Sequence, residues 1–199
     1  MILLAIGLAL FIAVHSVRIV APDAREAAIE RIGEGPWKGI YAVLSLLGLV
    51  LVGRGWGEAA REPLYGQQGW AVAALLILMP VLLVLLVAGN LPAGHIRRAA
   101  RHPMMIAALG WATLHLFVNG DSAAVLLFGA LAAWSAVELW PLLRREGVAA
   151  LGPHGDAPPP EAAPVPWWPD IAALVGGFAL YGWFVVQGHE WLFGVSPLG

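Results

Sequence analysis

The chain has 199 residues, 60% of them hydrophobic and only 12% charged, with a formal net charge of −2. Soluble domains carry roughly twice that charged fraction, so a soluble globular class is excluded, and a near-neutral balance gives nucleic acid nothing to bind. There is no cysteine, which removes disulfides, Fe–S clusters, thiolate ligands and covalent haem attachment and leaves histidine as the main metal ligand beside four methionines.

Six apolar runs are long enough to cross about 30 Å of hydrocarbon as helices. The first runs from Ile2 to about Val20. No basic residue precedes it, so it reads as a retained helix rather than a cleavable signal. Pro22 to Ile32 is amphipathic and is expected to lie on the membrane surface. The second span starts after Trp37-Lys38 and ends near Gly53. The third runs from Trp70 to Ala88, with Pro80 at its centre. The fourth follows Pro103 and ends at Asn119. Asn119-Gly120-Asp121 is a tight-turn signal, so the fourth and fifth helices are expected to form an antiparallel hairpin. The fifth runs from Ser122 to about Trp140 and the sixth from Ile171 to Val186. The proline-rich stretch between them, Gly147 to Pro169, is predicted to be a stiff, extended linker.

The expected architecture is all-α: a polytopic integral membrane bundle of about six transmembrane helices, forming a single domain over 1–199. Its first partner is the lipid bilayer. Arg18, Arg25, Arg31, Lys38, Arg97, Arg98, Arg101, Arg144 and Arg145 fall around the first, third and fifth loops, against only Arg54 and Arg61 around the others. This asymmetry predicts that those three loops are cytoplasmic and both termini non-cytoplasmic, in a bacterial inner membrane. Tryptophans near helix ends, such as Trp37, Trp70, Trp140 and Trp191, read as an interfacial belt.

Ionisable residues inside spans are the candidates for function, because burying them unpartnered is costly. His15 lies in the first span with Ser16 beside it and Arg18 one turn on. It can serve as an axial haem ligand, with the Arg18 guanidinium meeting a haem propionate. It can equally be a histidine hydrogen-bonded within the bundle, beside a snorkelling arginine. His115 lies in the fourth span, with Trp111 and Ala112 on its face. It reads as a second axial ligand or as a polar residue near the outer interface. His102, in Arg101-His102-Pro103 at the start of that span, faces headgroups or contacts a substrate or cofactor. Thirteen residues place His102 and His115 about 220° apart around a helix, so they should not share one metal. By level alone, His15 would pair with His102 and His115 with His189. His95 and His154 are expected to be solvated, and His189 to be an interfacial cap after the sixth span. Glu138 is expected to pair with Arg144 or Arg145, or to serve a site. No zinc pair, phosphate loop or nucleophile elbow is present.

Several blocks together resemble the NnrU family. They are His15-Ser16 with Arg18; Trp37-Lys38-Gly39-Ile40-Tyr41 through Ser45-Leu46; Arg101-His102-Pro103 to Trp111, His115 and Asn119-Gly120-Asp121; and His189-Glu190-Trp191-Leu192-Phe193-Gly194-Val195. The resemblance covers nearly the whole chain, and the fourth-span block is its most specific part. It implies a link to denitrification and nitric oxide reduction. The family in turn is similar to 15-cis-ζ-carotene isomerase, a membrane enzyme that uses haem b. This implies haem b as cofactor, His15 and His115 as its iron ligands, and His102 as the counterpart of that enzyme's His-Pro pair. It also implies Arg18 and the Arg97–Arg101 cluster near the propionates, and an apolar small molecule as substrate. The isomerase has a cysteine where this chain has Ala112, so ligand exchange through sulfur is not available here. Arg101-His102-Pro103 with Gly110 and Arg145-Glu146 also resembles isoprenylcysteine-type membrane methyltransferases, which implies S-adenosylmethionine held by Arg101, His102 and Glu146. In that comparison Met105 stands where a tyrosine is usual. A non-enzymatic accessory subunit is the third reading.

Overall fold

The computed structural model describes residues 1–146 and 164–198, with side chains described to residue 140 and again from 164. The helices are α1 Ile2–Val20, α2 Pro22–Ile32, α3 Glu34–Glu58, α4 Ala71–Asn90, α5 His95–Ala100, α6 Pro103–Val118, α7 Ser122–Glu146, α8 Trp168–Trp183 and α9 His189–Phe193. A π turn over Phe184–Gly188 joins α8 to α9. Five stretches are long and apolar enough to cross a membrane: α1, α3, α4, Ser122–Trp140 and Trp168–Phe193. The sixth, α6, is apolar but has only 16 residues, about 24 Å of helix and near the lower limit for a span. Large apolar side chains such as Val43, Ile77, Val137 and Val175 are about two-thirds or more exposed, a pattern that lipid covers. The chain is an all-α, multi-pass membrane protein. Among the described residues no strand forms, only an isolated bridge between Pro63 and Asp121.

Boundaries agree with the sequence reading where breakers set them and differ where none stands. Gly33, at φ +86°, ends α2 at Ile32 as expected, because a left-handed backbone there is open to glycine. The second span is longer than predicted. It begins at Glu34, where Lys38 pairs with Glu34 across one turn at 2.8 Å, and runs on to Glu58. The last span starts earlier and ends later than predicted. Pro169 fits the first helical turn, where its missing N–H costs nothing, and helical backbone runs on through His189 to Phe193. The predicted linker lies outside the described residues as far as residue 163.

The described residues form two compact units, Met1–Gly66 with Asn119–Trp134, and Gln67–Val118 with Ser135–Gly199. In the first, α1 and α3 run antiparallel at close approach. A Cβ added at Gly7 would lie 2.6 Å from the Val52 nitrogen, one at Gly48 3.0 Å from the Phe11 nitrogen, and one at Gly55 against the backbone of Leu4. Small residues replace the hydrophobic effect as the way to pack helices in lipid, since they maximise van der Waals contact. At the end of this unit Leu64 and Tyr65 donate their N–H groups to the Gly120 carbonyl at 2.7 and 3.1 Å. Asp121 caps α7 by accepting from the Ala124 N–H at 2.8 Å.

In the second unit α4 packs antiparallel against both α6 and α8. Val84, Ala88 and Ala173 form its buried core, with Val87, Leu91 and Ile96 packed around them. Gly177 lets α8 approach the Val84 backbone, where an added Cβ would sit 2.6 Å from Cα. Pro80 lies inside α4 and cannot donate to the carbonyl four residues earlier, that of Leu76. The Tyr181 hydroxyl of α8 donates to this same carbonyl at 2.8 Å. An orphaned carbonyl in lipid has no water to turn to. Tyr181→Phe is therefore expected to cost roughly 1–3 kcal/mol, and the cost should nearly vanish in a Pro80→Ala background, where an N–H is restored. A double-mutant cycle by unfolding in detergent reads this coupling. Equal losses in both backgrounds would refute it.

Candidate functional site

His15 occupies the last third of α1 and is half-buried. It sits in an aromatic enclosure: its ring stacks on Phe11 at 4.1 Å, is tilted to Tyr41 at 5.3 Å and meets the edge of Trp134 at 6.0 Å. The Trp134 Nε1–H donates to the Ser16 hydroxyl at 2.9 Å, which fixes the indole over this level of α1. The His15 Nδ1 is 2.8 Å from the Phe11 carbonyl. A carbonyl can only accept, so Nδ1 carries the proton and the neutral ring's lone pair is on Nε2. Arg18, in the last turn of α1, is exposed.

The second unit repeats this arrangement at His115. The His115 Nδ1–H donates to the Trp111 carbonyl at 2.8 Å, and the Trp111 ring lies 5.0 Å from the imidazole. Again the lone pair is assigned to Nε2. An imidazole whose Nδ1–H is held by a backbone carbonyl is the tautomer and orientation used for metal ligation through Nε2. Trp111 and His115 are thus brought together. His102 is not: it is half-buried beside the buried Pro103 at the opposite end of α6, about 20 Å away by helical rise. The backbone just before it is strained, with Arg101 at φ +52°, a region non-glycine residues seldom adopt.

Both histidines therefore fit an iron that brings most of its own ligands. Among the described residues no group of three or more His, Asp or Glu side chains could hold a bare metal ion. A haem supplies four nitrogens itself and asks the protein for one or two.

Two expectations need correction. His95 is not merely solvated. Its Nδ1 lies 2.8 Å from the Asp170 carboxylate and its ring stacks on Trp167 at 3.8 Å. The same carboxylate accepts from the backbone N–H groups of His95 and Ile96 at 2.9 and 2.8 Å. Asp170 thus caps α5 from another helix. His189 does not follow the sixth span but opens α9 within continuous helical backbone. Its Nδ1–H donates to the Val195 carbonyl at 2.6 Å, reached because Gly194 turns the chain at φ +71°. Glu138 is buried, at 3% exposure. The side chains of Arg144 and Arg145, its expected partners, lie outside the described residues, as do His154 and the side chain of Glu146.

Sequence reasoning missed three of the residues around His15. Phe11 was one helical turn away and could have been read from the i−4 spacing. Trp134 stands well inside its helix rather than at an end, so it was a poor fit to an interfacial belt, and that was its signal. Nothing local marked Tyr41.

The fold and the two histidine positions define a class: a multi-pass helical membrane protein with imidazoles, those of His15 and His115, inside its apolar helices. The chain matches the NnrU protein family over residues 3–197. It belongs to that family. No curated protein and no solved structure matches it.

Proposed function

We propose that this NnrU-family protein binds haem b, which His15 and His115 would hold, and serves a redox function. That function is nitric oxide handling linked to denitrification, or redox-gated isomerisation of an apolar polyene. The observation that carries the reading is a shared backbone contact. Each intramembrane imidazole has its Nδ1 2.8 Å from the carbonyl four residues back, a bond that leaves Nε2 as the nitrogen that would ligate iron. Bound haem would supply reversible one-electron chemistry and could take a diatomic ligand. The chain's own groups do the rest. Phe11, Tyr41 and Trp134 exclude water from the His15 imidazole, and Trp111 does so at His115. Arg18, at the end of α1, is placed to meet a propionate. His102, far along α6 from His115, contacts cofactor or substrate rather than iron. The orientation proposed from the charge asymmetry, with both termini non-cytoplasmic in an inner membrane, puts Arg18 and His102 on the cytoplasmic side.

The test is an optical spectrum of the detergent-purified protein, oxidised and then reduced, with a pyridine haemochrome to count haem. About one haem per chain with sharp reduced α and β bands is expected for bis-histidine ligation. His15→Ala and His115→Ala should each abolish the six-coordinate low-spin signature. Unchanged spectra in both variants would sink the ligand assignment. Absence of haem after haem-supplemented expression would turn attention to the methyltransferase reading, tested by calorimetry with S-adenosylmethionine, and, if that too fails to bind, to an accessory subunit.

A further inference from the structure

We propose that Asp170 is a positioning residue for His102: its grip on α5 holds Arg101 in a strained turn, and that turn sets where the His102 imidazole stands. The joint between α5 and α6 is a single residue. The Arg101 N–H closes α5 on the Arg97 carbonyl at 2.9 Å, and the His102 carbonyl already receives the Ile106 N–H of α6 at 3.1 Å. The change of direction therefore falls on Arg101, at φ +52° and ψ −51°. Across it the His102 N–H donates to the Ala100 carbonyl at 2.5 Å, which makes this the γ-turn of positive φ, a rare and strained form. Glycine adopts such a φ freely and arginine does not. Pro103 steers its predecessor away from helical backbone, so His102 cannot extend α5 and share the bend.

Packing on other helices fixes both sides of this joint. On the α6 side, Pro103 is buried and Met104 lies against Gly89 of α4, where an added Cβ would meet the Met104 Cβ at 3.1 Å. On the α5 side, Asp170 of α8 takes the His95 and Ile96 N–H groups at 2.9 and 2.8 Å and the His95 ring at 2.8 Å, while Trp167 stacks on that ring. With six residues, α5 is about 9 Å long and too short to persist without tertiary contacts. A hold on its first turn is thus felt at its last. Strain of this kind survives only where the surroundings over-determine it. Releasing Asp170 lets α5 swing and φ return to negative values, a change favoured about 5- to 150-fold for a non-glycine residue. His102 stands on the joint, half-buried, with its Nε2 out of contact with solvent, so the swing changes what surrounds its ring. The bearing on a bound cofactor or substrate rests on the role proposed for His102 above; the coupling does not.

The test is the ring carbon–proton spectrum of the full chain, labelled at histidine, in detergent micelles, with His102 assigned from His102→Gln; the readout needs no haem. Asp170→Ala is expected to move the His102 ring resonance as well as that of His95, with the relaxed turn as the major form. Two backgrounds separate backbone strain from loss of the Arg101 side chain. In Arg101→Ala the strain stays, and Asp170→Ala should still move His102. In Arg101→Gly the turn is unstrained, and only His95 should move. A His102 resonance that stays in place in Asp170→Ala, or that moves alike in the two backgrounds, would overturn the proposal. Should Asp170→Ala fail to fold, judged by circular dichroism, Asp170→Asn takes its place; it keeps one acceptor oxygen and should give a smaller movement with the same dependence on residue 101. Absence of haem would count against the function proposed above and leave this outcome untouched.

Discussion

Asp170→Ala is expected to destabilise the second unit by roughly 2–4 kcal/mol. The Asp170 side chain is 6% exposed and accepts three hydrogen bonds, two of them from backbone N–H groups that open α5. The first N–H groups of a helix have no partner within it. Removing the acceptor leaves two such groups unsatisfied in a partly buried place, at roughly 1–3 kcal/mol each in the mutational record, less whatever water regains. Gly94 shows how closely the carboxylate is seated, because a Cβ there would lie 2.5 Å from its Oδ1. Asp170→Asn keeps one acceptor oxygen and should lose less. Unfolding in detergent gives the magnitude, and hydrogen exchange at His95 and Ile96 gives the location. A loss spread evenly over the chain, with α5 no more exchangeable than before, would show that the clasp is not what Asp170 provides.

Gly55→Leu is expected to cost roughly 3 kcal/mol, because overpacked sites lose about 1–3 kcal/mol and more where backbone opposes them. The atoms an added Cβ would strike belong to the main chain of Leu3 and Leu4, so no rotamer change relieves the clash and α1 must move away from α3. The control is two residues away. An added Cβ at Gly53 meets nothing within 4 Å, and Gly53→Leu should be neutral or slightly stabilising, since leucine favours helix over glycine by somewhat under 1 kcal/mol. The pair separates packing from propensity. Similar stabilities for the two variants would mean that the α1–α3 seam tolerates separation. Because Tyr41 reaches His15 across this seam, the same variant should also disturb the enclosure around that histidine.

The spans were legible because hydrocarbon thickness demands a length of apolar helix that little else resembles. Their ends were legible where a residue forces them, as Gly33 does after α2, and were misplaced where polar residues simply continue a helix into water, as they do to Glu58. The i−4 bonds of His15 and His115 follow from helix geometry alone once the helices are granted. The clasp of Asp170 on His95 does not, because the two lie 75 residues apart and neither carries a local pattern that names the other. Nor does the Tyr181 bond to Leu76, across 105 residues. Pro80 announced that a carbonyl would need a partner, but only the packing of α8 on α4 says which.

Both long-range bonds have α8, in the last span, as their donor or acceptor, and this sets an order of events during synthesis. At about 5–20 residues per second, the ribosome needs roughly 4 to 15 s to make the 75 residues between His95 and Asp170. Through that interval α4 sits in the membrane with the Leu76 carbonyl unanswered, and α5 waits with its first N–H groups open. Chains stalled or cut before α8 would present an incomplete seam to whatever inspects newly inserted membrane proteins. Arrival of the final span thus serves as the moment at which the second unit becomes durable.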